Sequence, residues 1–93
     1  MEYGSNGWAL PRAAALVAIQ AIENASRVLL GGDVWLEKDG ALVSVGDSWH
    51  FEPNPDDLHS ANVANAATKA RAYVTAYPDT SEGVPHFELV LLS

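Results

Sequence analysis

The chain contains no cysteine among its 93 residues. Without thiols the protein cannot build a disulfide framework or a zinc site with thiolate ligands. A secreted chain of this length usually needs such staples, because its hydrophobic core is small. The absence of cysteine therefore favours a protein that folds in a reducing cytoplasm, as one domain over residues 1–93.

Basic residues are scarce. Five Lys and Arg stand against twelve Asp and Glu, which gives a formal net charge of −7 at pH 7. Binding to a phosphate backbone depends on Lys and Arg, so nucleic acid is not expected as a partner. The negative charge is concentrated, because residues 33–57 hold seven acids and one base, or −6 in sum. This segment is the candidate for a surface that attracts a basic partner.

Long hydrophobic runs are also missing. The apolar stretch from Ala13 to Ile22 is interrupted by Gln20, and it is much shorter than the roughly 20 residues of a membrane-spanning helix. The N-terminus carries no basic region of the kind that begins an export signal. The sequence therefore predicts no membrane partner and a cytoplasmic location.

The pattern that is present predicts two helices. The first follows Pro11 and runs to Asn24, with proline tolerated in the first turn and alanine abundant. The second is expected over residues 58–77 and stops before Pro78. Asp56 and Asp57 are expected in its first turn, where the helix dipole favours carboxylates. The side chains expected on the buried sides of the two helices are Ala15, Ile19, Ile22, Val63, Ala66, Ala67, Ala70 and Val74.

Three strands are expected, over residues 27–37, 41–45 and 87–92. The last is apolar on both faces after Glu88 and should lie inside the sheet. Residues 46–55 are broken by glycine and proline and are expected to be mainly a loop, although Trp49-His50-Phe51 could extend a strand. The element order helix, strand, strand, helix, strand predicts a small α+β domain with an antiparallel hairpin and two helices packed on the sheet.

The Asp39-Gly40 turn sets the expected register of the hairpin. It pairs Leu36 with Val43, Trp35 with Ser44, and Val34 with Val45. One face then carries Val34, Leu36, Val43 and Val45, which we expect to face the core, and the outer face carries Trp35, Glu37, Leu42 and Ser44. A bulge or bend is expected at Gly31-Gly32, since paired glycines weaken a regular strand.

Catalytic motifs are weak. His50, His59 and His86 show none of the paired spacings of a metal site, and the sequence holds no nucleophile motif or phosphate loop. We therefore expect no catalytic residues, no metal and no cofactor. The alternative is a small hydrolase or metal-dependent enzyme that uses His50 with Asp47 or Glu52.

Aromatic and acidic residues occur together on the hairpin and just after it. Aromatics anchor protein interfaces, and flanking carboxylates steer a basic partner. This pattern predicts a partner-binding site of seven residues: Asp33, Trp35, Glu37, Asp47, Trp49, His50 and Glu52. For Trp49 and Phe51 the alternative is that they close the end of the core. Gly31, Gly32, Asp33 and Trp35 could equally serve folding.

Two motifs carry a family resemblance. The start Tyr3-Gly4-Ser5-Asn6-Gly7-Trp8-Ala9-Leu10, the strand Gly31-Gly32-Asp33-Val34-Trp35 and the later segment Asp47-Ser48-Trp49-His50 stand in this order. Together they resemble the immunity protein 40 family, with Trp35 where a tyrosine is expected. The resemblance runs nearly end to end.

The resemblance implies a small cytoplasmic antidote of a bacterial polymorphic toxin system, which binds a toxin domain and blocks it. The toxin could be a nuclease, whose basic cleft an acidic antidote would occlude. An alternative function is a non-catalytic interaction module of a larger assembly. The protein is expected to be a monomer or a homodimer.

Overall fold

The computed structural model describes residues 9–92, which form two helices and four strands. The elements are β1 (Ala9–Pro11), α1 (Arg12–Asn24), β2 (Leu29–Lys38), β3 (Ala41–His50), α2 (His59–Ala76) and β4 (Val84–Leu91). All strands pair antiparallel in one sheet, in the order β1-β4-β2-β3. The predicted α+β class is confirmed, and so is the position of the last strand inside the sheet.

Both helices pack on one side of the sheet, which we call the helix face; the opposite side is the outer face. The helices lie over the central strands β2 and β4 and against each other. The largest fully buried side chains are Phe87, Ile19, Leu29, Val34 and Val74. Burial of such side chains is the main source of stability in a chain of this size.

Helix α1 begins after Pro11, as predicted, and buries Ala15 and Ile19 completely. Its first residue joins it to the rest of the core, because the Arg12 guanidinium donates to the Val74 carbonyl and to Asp79. The same guanidinium carbon lies 5.8 Å from the centroid of the Phe87 ring. Arg12 thus connects α1, the end of α2 and β4.

Helix α2 buries the predicted residues Val63, Ala66, Ala67, Ala70 and Val74, together with Asn62. The expected start was wrong, because α2 begins at His59 and has no acidic residue in its first turn. Asp56 and Asp57 lie in a turn before it.

A local turn closed by Asn54 explains why Asp56 and Asp57 lie before α2 and not in its first turn. The Asn54 side chain accepts a hydrogen bond from the Asp56 amide at 2.9 Å, and the Asn54 carbonyl accepts one from the Asp57 amide at 3.1 Å. These bonds close a turn that competes with helical hydrogen bonding. The chain becomes helical only after that turn.

Strand β1 was not predicted. It has three residues, and it pairs Leu10 with Phe87 of β4. A strand this short that ends in proline carries no alternating pattern, so only its partner strand reveals it.

The hairpin register is confirmed from the turn as far as the pair Trp35 and Ser44. Beyond it the register shifts, and Asp33 pairs with Ser48. The expected pair of Val34 with Val45 is therefore not formed. Gly46, with φ of 82°, lies within the extra residues of β3. A bulge of this kind lets the strand continue.

Because of this bulge, β3 continues to His50. The prediction of a loop was therefore wrong for residues 46–48, and the strand allowed at Trp49-His50-Phe51 forms as far as His50. Val43 and Val45 were expected in the core, yet their exposed fractions are 53% and 38%. The helices lie over β2 and β4 and leave the turn end of β3 uncovered. The irregularity expected near Gly31-Gly32 is confirmed, because the pairing of β2 with β4 shifts between Leu29 and Gly31.

Candidate protein-binding site

The outer face of the sheet gathers polar and aromatic residues from three strands. Because paired residues of antiparallel strands share a face, the register defines the rows of neighbours across β3, β2 and β4. These rows are Leu42, Glu37 and Val84; Ser44, Trp35 and His86; Ser48, Asp33 and Glu88; and His50, Gly31 and Val90.

This face is acidic. Its carboxylates within the described strands are Asp33, Glu37 and Glu88, and those strands place no Lys or Arg there. The side chain of Lys38, the basic residue of the hairpin, lies on the helix face, because successive side chains of a strand point to opposite faces. Asp33 and Glu88 lie directly opposite each other, an arrangement of like charges that costs stability.

Trp35 is half-buried in the middle of this face. Its indole Nε1 donates a hydrogen bond to Glu88 Oε1 at 3.1 Å. This bond orients the ring and leaves part of its surface exposed. A tryptophan held in this way loses little conformational entropy on contact with a partner.

A hollow of about 340 Å³ lies beside Asp33 on this face. It forms where Gly31, in the outer-face row of His50 and Val90, carries no side chain. Its lining residues are Leu30, Gly31, Gly32, Asp33, Ser48, Trp49, His50 and Val90. The mixture of an apolar floor with a carboxylate, a hydroxyl and an imidazole suits a side chain that is partly apolar and partly charged.

Steric crowding explains why positions 31 and 32 are both glycine. A Cβ atom on Gly32 would lie 2.1 Å from the Glu88 carbonyl oxygen and 2.4 Å from the Trp49 ring, and one on Gly31 would lie 2.2 Å from the Trp49 carbonyl oxygen. Gly31 also has φ of 147°, which side chains disfavour. Both glycines therefore serve folding.

Trp49 belongs to the core, which was one of the two interpretations left open for it. It is 7% exposed, and its ring stacks on Tyr73 of α2 with centroids 4.9 Å apart. Phe51 is half-buried and packs against the same cluster. Trp49 thus supports the hollow from the helix face and has little surface of its own to offer a partner.

Asp47 lies at the edge of the sheet near the end of α2. The Tyr77 hydroxyl donates to Asp47 Oδ2 at 2.6 Å. This hydrogen bond, with a smaller effect of burial, raises the pKa of Tyr77 to about 12. Burial, followed by the charge of Asp47, also raises the pKa of Tyr73. Both phenols are therefore protonated at neutral pH.

The structure separates the seven predicted residues into three groups. Asp33, Trp35, Glu37 and His50 come together on the outer face. Asp47 and Trp49 contact α2, and Glu52 is exposed in the segment after β3.

Sequence reasoning missed the contribution of β4 to this surface, namely Val84, His86, Glu88 and Val90. The alternation of His86 and Glu88 with Pro85 and Phe87 was the available signal.

The histidines do not gather into a metal site. His59 Nε2 lies 2.8 Å from the Ser26 carbonyl oxygen, and His86 Nδ1 lies 3.0 Å from the Val84 carbonyl oxygen. Within residues 9–92 no three His, Asp or Glu side chains come close enough to hold a metal ion. The alternative enzyme site of His50 with Asp47 or Glu52 is not brought together, since Asp47 points to α2 and His50 to the outer face.

Comparison with known families gives a match to the family described as immunity protein 40, over residues 1–91. The chain belongs to the immunity protein 40 family. No curated protein and no solved structure matches it. The Gly31 to Trp35 motif of the family resemblance forms the middle of β2. In the N-terminal motif, residues 3–8 lie outside the described residues, and Ala9-Leu10 begin β1.

Neither helix in the described part of this family member is long and apolar enough to cross a membrane. Its acidic outer face, with a central tryptophan and a neighbouring hollow, is the candidate protein-binding site.

Proposed function

We propose that this protein is an immunity protein that binds a cognate bacterial toxin domain in the cytoplasm and blocks it. Membership of the immunity protein 40 family carries the proposal. Blocking by occlusion requires a complementary surface and no chemistry by the immunity protein itself. The activity therefore depends on shape and charge.

The outer face is the surface we propose for contact. Trp35 supplies a held aromatic anchor at its centre, and Asp33 and Glu37 flank it along the same strand. Interfaces commonly concentrate their binding energy in such a central aromatic surrounded by polar groups. His50 and the hollow extend this surface, and Asp47 and Glu52 add negative charge at its margin.

The charge of the surface favours a basic partner. The chain carries −7, and the strands place three carboxylates and no Lys or Arg on the outer face of the described sheet. A toxin that acts on nucleic acid needs a basic cleft. We propose a nuclease toxin, whose cleft this surface would cover and whose arginine or lysine side chain would enter the hollow beside Asp33.

Growth rescue tests the proposed function. The toxin domain encoded by the neighbouring gene is expressed from an inducible promoter, with and without this protein. We expect growth only when both are made, and a complex that co-purifies. Growth arrest in both strains, with no complex, would reject the proposal.

Charge reversal tests the proposed surface. Asp33→Lys combined with Glu37→Lys should weaken binding of the toxin domain at least tenfold, since two attractive charges become repulsive. Asp57→Lys with Asp56→Lys is the matched control, because these exposed carboxylates lie in the turn before α2. An equal loss of affinity in the two double variants would show that only the net charge affects binding, and would remove the outer face from the proposal.

A further inference from the structure

Strand β3 lies at an edge of the sheet. Its one strand neighbour is β2, and no strand of residues 9–92 covers its other side. The opposite edge is β1, which has three residues and ends at Pro11. Among the described strands, β3 is therefore the long edge at which another chain could add a strand.

Backbone geometry identifies the groups that point outward. The Asp39-Gly40 turn has positive φ at both residues, 53° and 83°, as a type I′ hairpin requires. Lys38 and Ala41 then form a hydrogen-bonded pair, and the pattern alternates along the strands. Leu42 and Ser44 therefore direct their N–H and C=O groups away from β2.

The far half of the edge is closed by other means. The Gly46 bulge interrupts the ladder, and the Lys69 ammonium of α2 donates to the His50 carbonyl. Bulges and lysines are devices that protect sheet edges. The segment Ala41–Val45 has neither a charge nor a proline, and Leu42, Val43 and Val45 are 36%, 53% and 38% exposed.

We infer that Ala41–Val45 is a docking edge, to which an extended segment of the toxin domain adds as a further strand. This inference rests on the proposed function and specifies how the partner binds. Main-chain hydrogen bonds would supply affinity, and side chains on alternate faces would supply specificity. The complementary segment is apolar beside Val43 and Val45 and basic on the outer face near Glu37, which pairs with Leu42.

A second copy of this chain fits the edge less well. Two copies at −7 each repel one another. An antiparallel pairing of two β3 strands centred on Val43 would also bring the turn end of one copy, with Asp39, toward the bulged end of the other, with Asp47. Like charges brought together at an interface oppose association. A basic segment of the toxin meets no such opposition.

Amide hydrogen exchange tests the docking edge in the wild-type protein. In the free protein we expect fast exchange at Leu42 and Ser44, whose amides point outward, and slow exchange at Val43, which pairs with Leu36 of β2. In the complex with the toxin domain, exchange at Leu42 and Ser44 should slow at least tenfold, with Val43 protected in both states. A stable complex with unchanged exchange at both residues would overturn the docking edge and leave the proposed function standing.

A proline substitution gives a second test. Ser44→Pro removes the outward N–H, whereas Ser44→Ala removes only the exposed hydroxyl and serves as the control. We expect Ser44→Pro to weaken toxin binding about tenfold or more, from lost main-chain hydrogen bonds, and Ser44→Ala to bind like the wild type. Wild-type affinity in a folded Ser44→Pro variant would overturn the inference. If that variant does not fold, the exchange experiment decides.

Two further outcomes also decide the inference. Concentration-dependent dimers of the free protein, with protection at Leu42 and Ser44, would assign the edge to a second copy and overturn the toxin segment. A wild-type protein that binds no toxin domain at all would overturn the proposed function and the docking edge together.

Discussion

At the residue scale, the contact between Trp49 and Gly32 shapes both sides of the sheet. The ring of Trp49 lies against Gly32 on the helix face, where a Cβ atom would be 2.4 Å from it. On the outer face, the neighbouring Gly31 leaves the hollow beside Asp33. One arrangement thus closes the core and opens a candidate binding surface.

Gly32→Ala should therefore be strongly destabilising. The added methyl group would lie 2.1 Å from a backbone carbonyl oxygen, which cannot move aside without breaking the pairing of β2 with β4. We expect the free energy of unfolding to fall by about 2 kcal/mol or more, measured by urea denaturation. Gly40→Ala is the comparison, since no atom lies within 4 Å of its Cβ position and only its φ of 83° opposes the change. That variant should lose about 1 kcal/mol, and an equal loss in both would contradict the steric explanation.

Tyr77 makes stability depend on pH in the alkaline range. Its hydrogen bond to Asp47 and its burial raise the pKa of Tyr77 from 10.0 to about 12. The folded protein therefore holds this proton more tightly than the unfolded chain does. The resulting stabilisation is complete below pH 10 and is lost as the pH rises to about 12.

Urea unfolding of the wild type and of Tyr77→Phe should show this directly. The urea concentration at the midpoint of wild-type unfolding should decrease as the pH rises from 10 to about 12. The midpoint of the variant should decrease less over the same pH range. Tyr73, whose pKa is also raised, remains in the variant, so part of the dependence of stability on pH should remain. Identical slopes in the two proteins would show that the hydrogen bond to Asp47 does not form in solution.

At the element scale, α2 fixes the segment that follows β3. The Asn62 side chain, 8% exposed, accepts a hydrogen bond from the Asn54 amide at 2.9 Å and donates one to the Asn54 carbonyl at 3.0 Å. This double contact ties the turn before α2 to the second turn of the helix. It is also the reason that a buried asparagine is tolerated among alanines.

Asn62→Ala should therefore cost about 1–3 kcal/mol in the free energy of unfolding, because the Asn54 amide loses its partner and the Asn54 carbonyl keeps only its bond from the Asp57 amide. Amide exchange at Asn54 should accelerate in the same variant. Asn65→Ala is the control, since Asn65 is exposed on the same helix. A loss no larger than that of the control would mean that water replaces the two bonds.

At the scale of the whole molecule, charge is distributed unevenly. Arg71 pairs with Glu23 at 2.8 Å between the two helices, and Arg12 pairs with Asp79 at 2.8 Å. These basic residues lie on the helix side of the molecule, whereas the outer face carries carboxylates. Each of these two bases is neutralised by a carboxylate, and the strands of residues 9–92 place no Lys or Arg on the outer face.

The acidity of the outer face predicts salt-dependent association with the proposed toxin domain. Electrostatic steering is screened beyond about 10 Å at 0.1 M ionic strength, so the association rate should fall on the order of tenfold as salt is raised well above that value. Stopped-flow measurement at several salt concentrations checks this. Asp33→Asn with Glu37→Gln should give a shallower dependence, and an association rate independent of salt would contradict electrostatic capture.

Local patterns determined much of this structure. The helices and the hairpin register near the turn could be predicted from the sequence. Their signals each act over a few residues: the alanine-rich run after Pro11, the stop at Pro78 and the Asp39-Gly40 turn. Composition determined the acidity and the absence of thiols. The family was recognisable from the sequence because its motifs are continuous segments.

Only the tertiary structure decided how distant segments meet. Trp35 and Glu88 are 53 residues apart and share a hydrogen bond, because β4 inserts between β1 and β2. The continuation of β3 past Gly46 depends on the contacts of Trp49 with Gly32 and Tyr73. These contacts join distant segments, so no local sequence pattern predicts them. Local hydrogen bonding and steric preference set the elements, whereas long-range packing set the strand order, the bulge and the face on which each candidate site residue lies.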